Sequence, residues 1–289
     1  MKYCKYLLIA FIISVIFVAG CAKEEAGLLE SHWVGGTEGI YANLVIAGAE
    51  TVEGLTKIWE GDTFSVELEL ENKGEYTVPA GELVATLAGI APTYGLAPEL
   101  TNPNELGKIT ELFPGGQGVI DFGDTQAEPG YLTVMMIYTY PYETEFEVPQ
   151  VCFKGDLRDT RVCNVAEDKQ VFSSGAPIQV IKAVEGTAEG RKVKVLFDII
   201  NAGVGSASVT RDGFTPVYDD VGYEILSDGW ECRSTREGVV RIVNGGVGKL
   251  ECTLKDELPE EALYMKNFEL KLKYFYEDTT HTVIQVRAY

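Results

Sequence analysis

The stretch from Thr63 to Gly74 alternates apolar and polar residues along its whole length. A period of two is the pattern of a β-strand that buries one face and exposes the other. The stretch ends in Asn-Lys-Gly, which is a turn signal. A second stretch of the same kind, Lys192 to Gly203, ends in Asn-Ala-Gly. Two such strands restrict the chain to β structure with a core on one side of each strand.

Three landmarks occur twice in the same order. Asn72-Lys73-Gly74 matches Asn201-Ala202-Gly203, the Gly115–Gly118 turn matches Gly245–Gly248, and Tyr138-Thr139-Tyr140 matches Tyr274-Phe275-Tyr276. The spacings between the copies are nearly constant, and short strands with Gly and Pro turns favour antiparallel sandwiches. The repeat therefore predicts an all-β chain of two tandem Ig-like antiparallel β-sandwiches, at 35–150 and 176–289, joined by a cysteine-containing linker at 151–175.

The strands of each half are predicted from the same patterns. The first half has candidates at Ile40 to Ala47, Glu82 to Ala88 and Val119 to Phe122, and the second half restarts at Ile178. Leu132 to Tyr140 is apolar on both faces, which predicts a central strand. We expect Pro141 to end that strand, and we expect Thr144 to Val148 to return as its edge partner.

The N-terminus has the pattern of an export signal. Two lysines precede an apolar run, and Val18-Ala19-Gly20-Cys21 resembles a lipobox, in which Cys21 becomes the lipidated first residue. The alternative is an uncleaved membrane helix, although the run is shorter than the roughly 20 residues of a span. Both interpretations place the protein at the cell membrane with its body on the outer side. Residues 1–21 are the signal or anchor, and 22–34 form a tether.

The charge balance excludes one class of partner. The chain carries a formal net charge of -20, with 44 acidic and 24 basic residues. Nucleic-acid binding needs a basic face, so no nucleic-acid partner is expected. The acidic surface also disfavours adsorption to anionic lipid, which leaves the N-terminal anchor as the route to the membrane.

Four cysteines follow the leader: Cys152, Cys163, Cys232 and Cys252. An exported chain with four cysteines is expected to form two disulfides, for which three connectivities exist. We predict Cys152–Cys163 and Cys232–Cys252, because each pair lies within one local segment. The spacings lack the CxxC pattern and the nearby histidines of a zinc site.

Catalytic and metal-binding patterns are weak. The two histidines, His32 and His281, lie in a tether and in a predicted hairpin turn, so a triad is not expected, and the chain is interpreted as a non-enzyme. Asp212, Asp219 and Asp220 form a candidate calcium site, with solvated loop acids as the alternative interpretation. The paired tyrosines are predicted to lie in the core, and the alternative is a platform on which a sugar stacks.

The whole set of landmarks resembles a known kind of protein. The lipobox, GGTEGI, the strand ending in ENKG, PGG, YTY, the cysteine pair, SSGAPIQV and FDIINAGVG are similar to secreted or lipid-anchored surface proteins of DPANN archaea with tandem CARDB-type Ig-like domains. The resemblance implies a role in cell-surface structure or adhesion, and it brings no catalytic residues.

The expected function is a non-enzymatic surface lipoprotein that serves adhesion, envelope assembly or binding of a surface protein. We predict that recognition uses the long loop from Pro92 to Phe113 or its counterpart from Thr215 to Gly238. The alternative is a carbohydrate- or solute-binding lipoprotein, whose pocket would be lined by Tyr138, Tyr140, Tyr274, Tyr276 or Trp230.

Overall fold

The computed structural model describes residues 30–52, 55–89, 94–101, 104–105, 108–159 and 161–288. The predicted leader at 1–21, with Cys21, lies outside the described residues, as does the tether up to residue 29. Every regular element in the described part is a β-strand, so the all-β prediction is confirmed. Among the described residues no helix has the length and hydrophobicity needed to cross a membrane.

The strands are β1 (Ile40–Ala47), β2 (Glu50–Val52), β3 (Leu55–Trp59), β4 (Thr63–Asn72), β5 (Val84–Ala88), β6 (Glu99–Thr101), β7 (Asn104–Glu105), β8 (Lys108–Ile109), β9 (Gln117–Gln126), β10 (Gly130–Lys154), β11 (Asp168–Lys169), β12 (Phe172–Ser173), β13 (Ile178–Ala188), β14 (Lys192–Asn201), β15 (Ser206–Ser208), β16 (Tyr218–Ile225), β17 (Trp230–Arg233), β18 (Val239–Val243), β19 (Gly248–Leu254) and β20 (Leu263–Arg287).

The strands form two small sheets and one large one, besides the short β7-β8 hairpin. In the described residues, β1-β4-β9 is a three-stranded sheet and β11-β13-β14-β19-β17 is a five-stranded sheet. The ten-stranded sheet has the main order β18-β16-β20-β10-β5-β6. In addition, β12 pairs with β10, β15 and β3 pair with β20, and β2 pairs with β3. Apart from β3 on β20, the pairs are antiparallel.

The two small sheets pack on the same face of the ten-stranded sheet. Along β10 the even-numbered side chains are buried from Val134 to Val148. Tyr140 reaches the start of β1, and its hydroxyl oxygen accepts a hydrogen bond from the N–H of Ile40 at 3.1 Å. Phe146, on the same face, contacts Phe197 of β14 with ring centroids 5.1 Å apart. The odd-numbered side chains form the opposite face, which we call the open face.

Two very long strands join the halves of the chain. β10 and β20 are each 25 residues long, and they pair from Gly130 opposite Val286 to Lys154 opposite Leu263. The second half of β10 contacts β13 and β14, and β20 contacts β1 and β3. Each long strand therefore contributes to the layers of both halves. Trp33–Tyr289 accordingly forms one compact unit with a continuous hydrophobic core.

The pairing of β10 with β20 is locally symmetric. Tyr140 lies opposite Tyr276, and Tyr142 lies opposite Tyr274. Tyr274 and Tyr276 follow Tyr140 and Tyr142 by the same 134 residues (274 − 140 and 276 − 142). A local two-fold axis at the pair Pro141–Phe275 therefore relates the two strands.

The expectation that Pro141 ends its strand was wrong. β10 continues through Pro141 to Lys154, and Thr144 to Val148 pair with β20 instead of folding back on β10. In the described residues the pairing of β10 with β5 ends at Thr139 and that with β12 begins at Phe146. Pro141 thus has a neighbouring strand on one side only, a position at which sheets tolerate proline.

Several other predicted elements are confirmed. β1 has the predicted bounds, and β4 begins at Thr63 as predicted and ends at Asn72, the first residue of the predicted turn. The core side chains of β4 are nearly fully buried. The division at 35–150, 151–175 and 176–289 stays a prediction. β10 extends four residues into the predicted linker, and the ten-stranded sheet contains strands of both halves.

Candidate functional site

Two asparagines close the two alternating strands with the same hydrogen bonds. Asn72 is fully buried, and its Oδ1 accepts hydrogen bonds from the N–H of Gly74 and the hydroxyl of Tyr142. Its Nδ2 donates a hydrogen bond to the carbonyl of Tyr76. The Oδ1 of Asn201 accepts from the N–H of Gly203 and the hydroxyl of Tyr276, and its Nδ2 donates to the carbonyl of Gly205.

These contacts correct the alignment of the tyrosines. Tyr142 corresponds to Tyr276, because each donates to the asparagine of its half. Tyr140 corresponds to Tyr274, because each hydroxyl accepts from the N–H that starts the first strand of its half, Ile40 or Ile178. Matching Tyr138 to Tyr274 was therefore wrong by two residues.

The rings that could have lined a sugar site are in the core. Tyr138, Tyr140, Tyr274, Tyr276 and Trp230 are each at most 4% exposed. Burial raises the pKa of all four tyrosines above the ordinary value. With so little of each side chain exposed, none is an open platform on which a sugar can stack, and the core interpretation of the tyrosines agrees with the structure. Tyr138, Tyr140 and Tyr276 nevertheless contribute to the lining of one pocket.

The four cysteines pair as predicted. Cys152 is bonded to Cys163, and Cys232 is bonded to Cys252. Cys232 and Cys252 lie directly opposite each other on β17 and β19. The loop closed by Cys152–Cys163 is held from inside by Lys154, whose ammonium donates to the carbonyls of Asp159 and Cys163.

The candidate calcium ligands do not come together. Asp212 is exposed, whereas Asp219 and Asp220 are buried neighbours on β16. Asp219 accepts from the N–H of Ala207 and from the amide of Asn201, and burial raises its pKa. In the described part of the chain, no group of three or more His, Cys, Asp or Glu side chains has the arrangement of a metal site.

Asp220 is held by two arginines. Arg241 binds its carboxylate through two nitrogens, each at 2.7 Å, and Arg236 donates to it at 2.7 Å. The guanidinium of Arg241 also stacks on the ring of Tyr218, 3.5 Å from its centroid. The carboxylate of Asp220 is thus neutralised within the protein, which explains its burial better than a bound cation would.

The predicted recognition loops are partly strands. The segment Thr215 to Gly238 contains β16 and β17, and the described part of Pro92 to Phe113 contains β6, β7 and β8. The segment Glu277 to His281, predicted as a hairpin turn, is a continuous part of β20. His281 is exposed on the open face opposite Met135.

A pocket of about 180 Å³ lies where the two halves meet on the inner side of the large sheet. We call it the seam pocket. Its lining includes Glu38, Tyr41, Tyr138, Val204 and Asp278.

The segments beside the seam pocket are fixed by Glu75. Its carboxylate accepts hydrogen bonds from the N–H groups of Val34, Gly35 and Gly175, at 2.6–3.1 Å. The chain entering the first half and the chain entering the second half are therefore held against each other. Both segments continue into residues that line the seam pocket, Thr37 to Tyr41 and Pro177.

The open face carries exposed apolar side chains in the half formed by β3, β20, β10 and β5. Met135 is 40% exposed and Val283 is 41% exposed. They are diagonal neighbours, because Val283 lies opposite Thr133 and Met135 lies opposite His281. Leu55 on β3 and Tyr131 on β10 extend the group and are also exposed. We call Leu55, Tyr131, Met135 and Val283 the apolar patch.

The other half of the open face is charged. Lys271 lies 2.8 Å from Glu143 and 3.0 Å from Glu145, and Lys273 pairs with Glu224. These hydrogen bonds are the main reason that the pKa of Lys271 is raised. One continuous sheet surface is thus apolar at one end and salt-bridged at the other.

No family model and no curated protein matches this chain. Among solved structures it is similar to the secreted serine protease VesC from Vibrio cholerae, with 10% identity and a TM-score of 0.21. The match covers 77% of this chain and 48% of the protease chain, so this chain spans about half the length of that protein. At this TM-score the similarity carries no functional argument.

Sequence reasoning missed the apolar patch. The apolar residues on both faces of Leu132 to Tyr140 were interpreted as burial on both sides, whereas the described residues cover only one side. The signal in the sequence is the pair of consecutive methionines. Neighbouring side chains of a strand point to opposite faces, so one of the two must lie on the second face. The sequence pattern also does not show that the five-stranded sheet packs on the C-terminal part of β10.

Proposed function

We propose that this protein is a membrane-anchored, outward-facing binding module without enzymatic activity, which holds an envelope or surface protein through the apolar patch. The observation that carries the proposal is the exposure of Leu55, Tyr131, Met135 and Val283 on one face of one sheet. Contiguous exposed apolar groups on a soluble surface are typical of protein-binding sites.

The setting of the apolar patch supports this role. Three of its four residues lie on β10 and β20, the longest strands, which are packed on their other face. A binding surface on such strands is pre-organised, so little conformational entropy is lost when a partner binds. The charged end of the open face would give a polar border that sets the orientation of the partner.

The two disulfides of the folded part also support a location outside the cytosol. Two disulfides are common in exported proteins and rare in the cytosol. We further propose that each half is an Ig-like sandwich of the kind in tandem adhesion modules. The matching asparagine, glycine and tyrosine contacts of the halves favour one fold that occurs twice.

The binding proposal is tested by capture from an envelope extract with the full-length protein in detergent. The double variant Met135→Glu, Val283→Glu should lose at least about tenfold in affinity for the captured partner, since it places charge in an apolar contact. The control Leu196→Glu changes a side chain of similar exposure on a different sheet. Equal capture by all three proteins contradicts the proposal, and saturable capture of a glycan instead favours a carbohydrate-binding function.

The anchor is tested separately with Cys21→Ser. Lipidation requires the thiol of Cys21, so the variant should lose incorporated radiolabelled lipid, whereas Cys4→Ser should keep it. Absence of label from the wild-type protein would favour an uncleaved membrane helix as the anchor, and label retained by Cys21→Ser would show that the lipid is attached at another residue.

A further inference from the structure

Two residues at the seam pocket, Tyr138 and Asp278, differ in type from the residues that the local two-fold symmetry places at the equivalent positions. The residue related to Asp278 is Thr144, 134 positions earlier, and the residue related to Tyr138 is Leu272. Thr144 is fully buried, and its hydroxyl is hydrogen-bonded to the carbonyl of Ile178 and to the hydroxyl of Tyr274. One half therefore closes this position with a hydroxyl and an apolar side chain, and the other half has a phenol and a carboxylate at the seam pocket.

The carboxylate of Asp278 has hydrogen-bond donors but no cation. It accepts from the hydroxyl of Tyr138 at 3.1 Å and from the N–H of Thr279 at 2.7 Å. Among the described residues, no Lys, Arg or His forms an ion pair with it, unlike Asp220, which has two arginines. Burial and the nearby Asp278 raise the pKa of Tyr138, so this phenol stays protonated as a donor. A half-buried carboxylate in this setting gains most from a bound cation.

The rim of the pocket already holds one ammonium group. The Nζ of Lys73 lies 4.1 Å from the centroid of the Tyr41 ring and 3.6 Å from an oxygen of Glu38. Tyr41 and Glu38 both line the seam pocket. An aromatic face combined with a carboxylate is the chemistry that recognises ammonium groups in proteins. Asp278 provides a second carboxylate in the lining of the same pocket, beside the hydroxyl of Tyr138.

We propose that the seam pocket binds a primary ammonium group, with Asp278 as its counter-ion and Tyr41 as an aromatic wall. The group can belong to a free alkylamine or to a lysine side chain of a partner, and both have the same chemistry at this site. The pocket lies on the inner side of the large sheet, so this inference does not depend on the apolar patch of the open face. A variant of one site leaves the residues of the other unchanged.

The test measures binding of butylamine, which is charged at neutral pH, to the full-length protein by NMR of labelled tyrosine rings. Butanol is the neutral probe of similar size, and acetyl-Gly-Lys-Gly-amide represents a partner's lysine. We expect butylamine to shift the signals of Tyr41 and Tyr138 and butanol to leave them unchanged. Tighter binding of the peptide would assign the site to a partner's lysine, and binding of butylamine alone would assign it to a small amine.

Variants decide whether Asp278 carries the binding. Asp278→Asn should weaken butylamine binding at least about tenfold, because the amide has no net charge. Tyr138→Phe removes the hydroxyl that occupies one oxygen of Asp278 and should keep or strengthen the binding, provided that its thermal unfolding shows a folded protein. Asp212→Asn, at an exposed acid outside the pocket, is the matched control. Equal binding of butanol, an unchanged Asp278→Asn variant, or no binding of either amine would overturn the proposal.

Discussion

Pro141 and Phe275 lie directly opposite each other at the centre of the two longest strands. On each side of this pair the same tyrosine contacts recur, and each long strand continues from one half of the molecule into the other. The two halves are thus joined by exchange of strand segments, because neither half completes its part of the large sheet from its own residues.

We expect the protein to unfold in a single cooperative transition. Val66→Ala in the first half and Val195→Ala in the second each remove buried methyl groups from equivalent strands. Each should lower the free energy of unfolding by about 2 kcal/mol and shift the same transition. Calorimetry that compares the calorimetric and van't Hoff enthalpies tests this. Two transitions, each moved by only one variant, would show that the halves unfold independently.

Gly74 and Gly203 should both be intolerant of alanine. A Cβ at Gly74 would lie 2.1 Å from the hydroxyl oxygen of Tyr142, and one at Gly203 would lie 2.2 Å from that of Tyr276. Each substitution forces apart a tyrosine and the turn that it holds, which should cost about 3 kcal/mol in chemical denaturation. Gly186→Ala is the control, because its new Cβ would come no closer than 4.0 Å to another group. A loss as large at Gly186 would show that the tyrosine contact is not the cause.

The protein should lose stability above about pH 10. Burial raises the pKa of Tyr138, Tyr140, Tyr142, Tyr274 and Tyr276 above the ordinary value that the unfolded chain has. The stability that these tyrosines contribute is fully present below the unfolded pKa, and it is lost as the pH rises towards the folded values. Tyrosinate absorbance should therefore rise in two stages, the second together with loss of β-sheet circular dichroism. Titration of every tyrosine in one stage without unfolding would contradict this.

Lys169→Met should destabilise the protein strongly. The fully buried carboxylate of Glu185 accepts from the N–H of Cys152, and its other oxygen lies 3.0 Å from Nζ of Lys169. Without the lysine a charge is buried alone, so the loss should be about 3 kcal/mol at neutral pH. Lys249→Met, which removes a lysine paired with Asp198 at the surface, should cost less than about 1 kcal/mol.

The loss in Lys169→Met should shrink as the pH falls. Burial raises the pKa of Glu185, so the folded state binds a proton at this carboxyl more readily than the unfolded state does. Protonation of Glu185 removes the unpaired charge. The difference in the free energy of unfolding between the variant and the wild type should therefore become smaller at mildly acidic pH. A difference in urea denaturation that stays constant from neutral to acidic pH would assign the effect to packing alone.

The alternating pattern of the sequence was sufficient to predict local structure. In an extended chain, the alternation that begins at Thr63 places its apolar side chains on one face, and β4 (Thr63–Asn72) covers this part of the predicted stretch Thr63 to Gly74. The disulfides were also predictable, because each pair is close along the chain. The role of Asn72 and Asn201 as hydrogen-bonding centres was not, since their partners lie on strands 70 and 75 residues away.

The sequence by itself determined the β class and the positions of the long alternating strands, and it indicated the repeated landmarks and the local cysteine pairs, because these follow from neighbouring residues and from the period of the side chains. Only the tertiary structure decided that β10 passes through Pro141 into the other half, that one face of the large sheet stays open, and that Tyr138 and Asp278 meet at the seam. These features depend on which distant strands pair, and antiparallel pairing is satisfied equally by a hairpin or by an exchanged strand.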